Sequence, residues 1–292
     1  MNHPAELTLA QYMTDAANGK AVLSDATIEK IGKDVMDALK RQFGGGNKRK
    51  DFALRMSNVG RPTCQLWFQK NRPDEATPLP SNFVMNMMLG DIVEAVFKGL
   101  LTEAKVAFED ADQVALEIPE ADVTINGTYD IAIDGAVDDI KSASDWSYRN
   151  KFKSFASLKE SDPFGYVGQL AGYAQASGLK AGGWWVINKA NGSFKYIPAN
   201  GLDMVEEMYK IKKTALAVKS NKLERCFDAV DETFNGKKTG NKILGSECSW
   251  CSYRHACWPT LKELPALKSR AKEPKTVSYV HIKEEDNYER VS

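Results

Sequence analysis

Two aspartates and a lysine in the middle of the chain have the spacing of a metal-dependent hydrolytic site. Asp139 and Lys141 are separated by one residue, Ile140, and Asp130 lies nine residues before Asp139. In a strand, residues i and i+2 point to the same side, so the Lys141 ammonium would lie beside the Asp139 carboxylate. Phosphodiester hydrolysis uses a divalent ion held by hard carboxylate ligands of this kind. The spacing is compatible with that reaction, and the surrounding motifs carry the weight of the inference.

Turn signals place the two aspartates on neighbouring strands. The β-favouring segments 129–133 and 137–140 flank Asp134-Gly135, a dipeptide typical of tight hairpins. The side chains of Asp130 and Asp139 can then meet on one face of the hairpin. Ile140 would point to the other face, into the core, and its carbonyl would be free to act as a further oxygen ligand.

The surrounding elements predict an α/β fold with a mixed sheet flanked by helices. An amphipathic pattern behind the cap residues Ser24 and Asp25 predicts a helix over 24–43, and a Met-rich apolar pattern over 83–101 predicts a buried helix that carries Glu94. The remaining segments are predicted as several strands over 106–140, a helix over 164–176 with Gln169 and Tyr173, a hairpin around Asn191-Gly192 and a helix over 202–221.

Four cysteines form a candidate metal centre. Cys64 stands alone, and Cys248, Cys251 and Cys257 follow with the spacing C-x2-C-x5-C. This spacing favours metal binding over a disulfide framework. On chemistry alone, four thiolates suit zinc and an iron-sulfur cluster equally. A zinc site in which His255 replaces Cys64 is a further alternative.

The residues around these cysteines have expected roles of their own. Ser249, Trp250, Tyr253 and Trp258 would shield the metal centre. The fifth cysteine, Cys226, is expected to be a small buried hydrophobe.

Composition and charge restrict how nucleic acid could bind and argue against a membrane partner. The 39 basic and 39 acidic residues cancel, so nucleic acid would have to bind a local basic groove. Basic residues interleaved with aromatics, which can hold phosphates and stack bases, are Arg61, Arg149, Lys151 and Lys153. Because no apolar run reaches the length of a membrane span and no secretory signal is visible, we expect a cytoplasmic protein without a membrane partner.

The order of these motifs resembles the PD-(D/E)XK nuclease superfamily in its RecB-like branch. The motifs that carry the resemblance are Gly90-x-x-x-Glu94, Gly127-Thr128-Tyr129-Asp130, Asp139-Ile140-Lys141 and Gln169-x-x-x-Tyr173. The resemblance covers roughly residues 55–260 and implies a restriction-endonuclease-like fold. It also implies that Glu94, Asp130, Asp139 and the Ile140 carbonyl bind Mg²⁺ or Mn²⁺, that Lys141 positions or activates the nucleophile, and that Gln169 and Tyr173 contact the DNA strand near the scissile phosphate.

The cysteine arrangement is similar to that of the iron-staple members of this branch, such as the AddB nuclease domain and CRISPR-associated RecB-like exonucleases. In those relatives one cysteine precedes the nuclease motifs and C-x2-C-x5-C follows them. The resemblance implies a [4Fe-4S] cluster on Cys64, Cys248, Cys251 and Cys257, which would close an arch across the nuclease core.

These observations predict a metal-dependent exonuclease that acts on single-stranded or frayed DNA ends. The alternatives are an inactive nuclease-fold module that binds DNA or a partner protein, and a small redox or zinc-scaffold protein. Recombination, replication and CRISPR-type proteins are compatible partners, as is a second copy of the chain. The expected organisation is an N-terminal helical region over 1–50, the nuclease core with its staple over 51–262, and a polar flexible tail over 263–292.

Overall fold

A computed structural model describes residues 3–44, 52–160, 162–220 and 222–283 of the chain. The chain divides into two compact units. The first comprises Met1–Arg61 and Pro80–Lys219, and the second comprises Pro62–Leu79 and Ser220–Ser292. This division differs from the expected one, because the N-terminal helical region belongs to the first unit, whereas the segment around Cys64 belongs to the second.

The helices of the described residues are α1 (Pro4–Ala17), α2 (Asp25–Phe43), α3 (Thr63–Asn71), α4 (Phe83–Glu103), α5 (Asp145–Arg149), α6 (Phe155–Glu160), α7 (Tyr166–Ser177), α8 (Met204–Lys219), α9 (Ser246–Ser249) and α10 (Arg254–Cys257). The predicted cap of α2 is present, since the Ser24 hydroxyl accepts a hydrogen bond from the backbone N–H of Thr27. The Gly45-Gly46 pair and the basic run Lys48–Lys50 lie outside the described residues.

The strands of the described residues are β1 (Glu109–Asp110), β2 (Gln113–Ile118), β3 (Val123–Thr128), β4 (Ile131–Ile133), β5 (Ala136–Ala143), β6 (Lys180–Asn188), β7 (Phe194–Pro198), β8 (Val230–Phe234), β9 (Lys237–Ile243), β10 (Lys262–Pro265) and β11 (Thr276–His281). Together with the helices they confirm the expected α/β class. No helix in the described ranges has the length and apolar character needed to cross a membrane.

The first unit is built on a five-stranded mixed sheet with the order β1-β4-β5-β6-β7. The central pair, β5 and β6, is parallel, and the other pairs are antiparallel. A separate hairpin is formed by β2 and β3. The core packs Leu9 of α1 and Phe97 of α4 against Ile140 of β5 and Trp185 of β6. The N-terminal helix therefore contributes to the core of this unit.

The hairpin of β4 and β5 has the predicted tight turn. Asp134 and Gly135 adopt φ angles of 51° and 71°, a left-handed conformation that glycine and aspartate tolerate. Ile133 pairs with Ala136, and Ile131 pairs with Asp138. This register brings the residue before β4, Asp130, next to Asp139 on β5.

The second unit contains α3, α9, α10 and a four-stranded antiparallel sheet with the order β10-β11-β9-β8. Its last two strands correct the prediction of a flexible tail over 263–292. Tyr279 of β11 is 1% exposed, and its hydroxyl donates a 2.7 Å hydrogen bond to Glu232 of β8. The polar composition of this segment did not predict a strand. β11 forms because residues far away in the sequence, such as Glu232, pair with its buried side chains. Residues 284–292 lie outside the described part.

Candidate active site and thiol centre

Three carboxylates from separate elements of the first unit converge on one region. Glu94 comes from α4, Asp130 from the residue before β4, and Asp139 from β5. The Asp130 carboxylate accepts a 2.7 Å hydrogen bond from the backbone N–H of Ile140 and also contacts the Asp139 side chain. The charges of Asp130 and Glu94 influence each other, so the two groups are electrostatic neighbours. The structure thus brings together the residues that the sequence predicted to converge.

Lys141 lies on the same face of β5 as Asp139. Its ammonium is 2.6 Å from the Asp139 carboxylate, and the Asp139 side chain is 2% exposed. Ile140, between them, points to the opposite face and packs in the hydrophobic core, as the strand period requires.

Burial and mutual repulsion hold these carboxylates in an electrostatically costly state. Burial, reinforced by the nearby Asp139, raises the pKa of Asp130 to about 7. Burial also raises the pKa of Asp139, although Lys141 opposes this effect, and burial together with Asp130 raises the pKa of Glu94. Burial by itself would lower the pKa of the Lys141 ammonium. The negative charges of Asp139 and Asp130 have the larger effect and raise this pKa. Lys141 is therefore a permanent cation near neutral pH.

Lys98 is a member of this charge cluster that sequence reasoning missed. It lies one helical turn after Glu94 on α4, its side chain is 9% exposed, and its ammonium is 2.8 Å from Glu94 and 3.2 Å from Asp110. The i, i+4 spacing of Glu94 and Lys98 was the available signal. Most such pairs are solvated, so the spacing alone does not show that this pair is buried.

Asp138 is buried beside the site but belongs to the other face of β5. Its carboxylate accepts hydrogen bonds from the Gly183 backbone N–H at 2.8 Å, the Trp185 indole at 3.2 Å and the Tyr196 hydroxyl at 2.8 Å. Burial nevertheless raises its pKa to about 7. Because both of its oxygens accept hydrogen bonds from β6 and β7, Asp138 holds these strands together on the face opposite Asp139.

The two polar residues predicted on the following helix lie together on α7. The Gln169 amide donates a 3.2 Å hydrogen bond to the Tyr173 hydroxyl. Burial raises the pKa of Tyr173 to about 12, and the charges of Asp139 and Asp130 add to this effect. Tyr173 therefore stays protonated and lies within electrostatic range of the carboxylates.

Tyr166, at the start of α7, lies between the carboxylate cluster and two of the predicted DNA-binding residues. Lys141 lies 4.9 Å from the centre of its ring, and Lys151 lies 4.5 Å from it. The Arg61 guanidinium is close enough for its charge to act on the Tyr166 phenol. The Lys151 side chain is 10% exposed, and its ion pair with Asp162 spans 3.8 Å, too long for a hydrogen bond.

Arg149 and Lys153, the other two predicted DNA contacts, are exposed and do not join this cluster. Arg149 forms a 2.8 Å ion pair with Asp145 on the surface of α5.

The four cysteines of the predicted staple all lie in the second unit. Cys64 on α3, Cys248 on α9, Cys251 and Cys257 line one cavity of about 30 Å³. Tyr253 and Trp258 line the same cavity, and Tyr253 stacks on Phe68 with ring centres 5.4 Å apart. These two aromatics shield the thiols as expected, but Trp250 does not, because it is 86% exposed.

Two other expectations about this region differ from the structure. Cys226 is exposed, and its sulfur accepts a 3.1 Å hydrogen bond from the backbone N–H of Cys64. It is therefore a neighbour of the thiol centre and not a buried hydrophobe. His255 is paired with Glu263 at 3.5 Å and is absent from the residues that line the cavity.

Neither cluster is preorganised at metal-ligand distances. Among residues 3–44, 52–160, 162–220 and 222–283, no group of three or more His, Cys, Asp and Glu side chains is arranged to hold a metal ion. The types of donor still match two different metals, since carboxylates suit a hard divalent cation and thiolates suit zinc or iron.

Comparisons with known proteins add little to this geometry. No family model and no curated protein matches the chain. Among solved structures, the chain is similar to the crystal structure of SSO0001, with a TM-score of 0.42 and 13% identity, over 80% of this chain and 96% of that one. A likeness of this strength carries no argument about function.

Proposed function

We propose that this chain is a metal-dependent deoxyribonuclease of the RecB-like PD-(D/E)XK type that degrades DNA from single-stranded or frayed ends. The observation that carries the proposal is the convergence of half-buried Asp130, buried Asp139 and half-buried Lys141 at the hairpin of β4 and β5, with Glu94 beside them. The mixed sheet, with parallel β5 and β6 at its centre, supports a restriction-endonuclease-like core.

The carboxylate set fits a hard divalent cation. Glu94, Asp130 and Asp139 repel one another and are desolvated, and a cation would relieve both costs. Together with the Ile140 carbonyl they would hold Mg²⁺ or Mn²⁺. A bound ion would supply the positive charge that activates water and offsets the charge developing on the scissile phosphate.

Lys141 acts in this scheme as a fixed positive charge. Because Asp139 and Asp130 raise the pKa of its ammonium, Lys141 has no free base to accept a proton near neutral pH. Its role is to orient the nucleophilic water or the phosphate and to stabilise negative charge in the transition state.

The residues near Tyr166 supply the binding surface for the DNA strand. Lys151 and Arg61 are cations whose Nζ and Nε atoms are buried without a hydrogen-bond acceptor. A phosphate of the DNA backbone is an acceptor that satisfies such donors. Gln169 and Tyr173 lie on the same helix as Tyr166 and would contact the strand near the scissile phosphate.

The thiol centre has a structural role in this proposal. Cys64, Cys248, Cys251 and Cys257 would hold a [4Fe-4S] cluster, and the apolar cluster of Trp67, Phe68 and Tyr253 beside them would limit solvent access. Such a centre ties α3, which comes early in the sequence, to the C-terminal part of the second unit. The free energy of metal binding would then contribute to folding of this unit.

Digestion of DNA labelled at the 5′ or 3′ end tests the proposal. Protein purified without oxygen is incubated with single- and double-stranded substrates in Mg²⁺, Mn²⁺ or a chelator. We expect metal-dependent loss of the single-stranded substrate, with the released label showing the polarity. Tight DNA binding without cleavage in either metal would instead support a nuclease-fold module that has lost turnover.

A further inference from the structure

Two cysteines of the second unit are in direct contact. The Cys226 sulfur accepts a 3.1 Å hydrogen bond from the Cys64 backbone N–H and lies 3.3 Å from the Thr63 hydroxyl. The Cys64 and Cys226 thiols are also hydrogen-bonded to each other. Formation of a disulfide between them requires the two neighbouring sulfur atoms to move to bonding distance and rotate into the geometry of the bond.

Arg225 holds the segment of Cys226 in this position. Its guanidinium donates a 2.7 Å hydrogen bond to the carbonyl of Cys257 and lies 4.2 Å from the centre of the Trp258 ring. The segment is thereby anchored to the end of α10, next to the thiol centre. The contact between the thiols is thus supported by neighbouring interactions.

The two thiols differ in their surroundings. Cys64 is half-buried and lines the cavity with Cys248, Cys251 and Cys257, whereas Cys226 is exposed and does not line it. A dissolved oxidant therefore meets Cys226 first. Cys64 is the member of the pair that can face the metal.

We propose that Cys64 and Cys226 form an internal disulfide when a small-molecule disulfide oxidises the protein, and that this bond withdraws Cys64 from the metal-ligating thiols. The pair is a redox modification site outside the nuclease centre. It makes metal loading of the second unit dependent on the thiol-disulfide state of the surroundings.

The reaction is a pair of thiol-disulfide exchanges. Cys226 gives up its proton and attacks the small disulfide, so that a mixed disulfide forms and one small thiol leaves. Cys64 then gives up its proton and attacks the Cys226 sulfur, and the second small thiol leaves. The protein loses two electrons and two protons, and the small disulfide gains them as two thiols.

The test uses the full chain, freed of metal by a chelator under reducing conditions and then treated with glutathione disulfide. Remaining thiols are alkylated, and peptides are mapped without reduction. We expect the loss of two of the five alkylatable thiols, a cross-link between the Cys64 and Cys226 peptides, and full recovery after reduction. Alkylation of both residues after oxidation, or cross-links confined to Cys248, Cys251 and Cys257, would overturn the proposal.

Matched variants connect the disulfide to metal uptake. Oxidised wild type should take up less added Zn²⁺ than reduced wild type, whereas Cys226→Ser should take up Zn²⁺ equally after either treatment. Cys248→Ser serves as the control that retains the Cys64 and Cys226 cross-link. Because the wild-type peptide map decides the outcome by itself, a variant that misfolds leaves the test intact. Since the test measures no DNA cleavage, its failure is distinct from failure of the proposed nuclease function.

Discussion

The Lys141 ammonium lies 2.6 Å from the carboxylate of Asp139, two residues earlier on β5, and both side chains are largely withdrawn from solvent. The pair is next to Asp130, a half-buried carboxyl group at the start of the same hairpin. One cation thus faces two acidic groups in a region of low dielectric. Under the proposed function, a divalent ion would relieve this imbalance.

Replacement of Lys141 by alanine should reduce cleavage by roughly 10²–10³-fold, because the transition state loses a preorganised positive charge. Asp139 would take up a proton in the variant, since its stabilising partner is gone. The rate on labelled single-stranded DNA at saturating Mn²⁺ measures the effect. Lys180→Ala, at the exposed start of β6, should keep the wild-type rate. Equal rates for the two variants would remove Lys141 from the site.

Loss of the Glu94 charge should change the metal requirement more than the maximal rate. Glu94→Gln keeps the size of the side chain, but it removes one of three acidic groups and leaves Lys98 with one fewer anion. We expect the Mn²⁺ concentration for half-maximal cleavage to rise by about tenfold or more. A titration of cleavage against Mn²⁺ measures this shift. Glu109→Gln, on the exposed strand β1, should not change the titration curve, and an unshifted Glu94→Gln curve would contradict a ligand role.

Without metal, stability should decrease as the pH rises toward neutrality. Asp130 and Asp138 have folded-state pKa values of about 7, well above those of unfolded aspartate, so the folded chain holds protons that the unfolded chain releases. Their contribution is complete below about pH 4 and is lost as the pH rises through about 7, by up to about 1.4 kcal/mol per pH unit for each group. Urea unfolding in chelator at several pH values tests this prediction.

Two variants test whether Asp130 and Asp138 cause this pH dependence of stability. Asp130→Asn and Asp138→Asn should each reduce the slope of unfolding free energy against pH, because each removes one buried titrating group. Mn²⁺ should stabilise wild type more at pH 8 than at pH 5, where protons compete for the ligands. A stability that is independent of pH in chelator would contradict the buried, strained state of these carboxylates.

The close approach of two glycines should be required for the position of Arg61. A Cβ atom on Gly60 would lie 2.6 Å from the Cα of Gly165, which precedes Tyr166 and has a φ of +76°. Gly60→Ala should therefore lower the unfolding free energy by about 1–3 kcal/mol and weaken DNA binding. Urea unfolding and DNA titration test both effects. Gly32→Ala, in α2 with open space around it, should be neutral or stabilising by about 0.5–1 kcal/mol.

Loss of a cavity-lining thiol should reduce metal binding and stability together. Cys251→Ser should lose the absorbance of a bound cluster in protein purified without oxygen, and it should unfold at lower urea concentration. Visible absorbance and iron content are the readouts. Cys226→Ser is the matched control and should keep both in reduced protein, since this thiol does not line the cavity. Full iron content in Cys251→Ser would remove Cys251 from the ligand set.

Local signals in the sequence were sufficient to predict the hairpin that carries Asp139 and Lys141. The Asp134-Gly135 turn and the two-residue strand period predicted both the hairpin and the shared face of Asp139 and Lys141. These features depend on neighbours in sequence. For the same reason the cap of α2 at Ser24 was predictable.

Features that depend on distant partners were not predictable. Lys98 is paired with Asp110 of β1 and Tyr279 with Glu232 of β8, and neither partner is close in sequence. Cys226 has no spacing motif, and only the fold brings it to Cys64. Each of these contacts joins residues that no local pattern connects.

The most direct test of the nuclease assignment compares two aspartate-to-asparagine variants from the same hairpin. Asp130→Asn changes a half-buried carboxylate of the site, whereas Asp134→Asn changes an exposed turn residue with a left-handed φ of 51° that asparagine also tolerates. With end-labelled single-stranded DNA and Mn²⁺, we predict that Asp134→Asn cleaves at the wild-type rate and that Asp130→Asn falls by at least roughly 10²-fold while remaining folded. Equal cleavage by both variants would contradict the assignment of this hairpin as the catalytic centre.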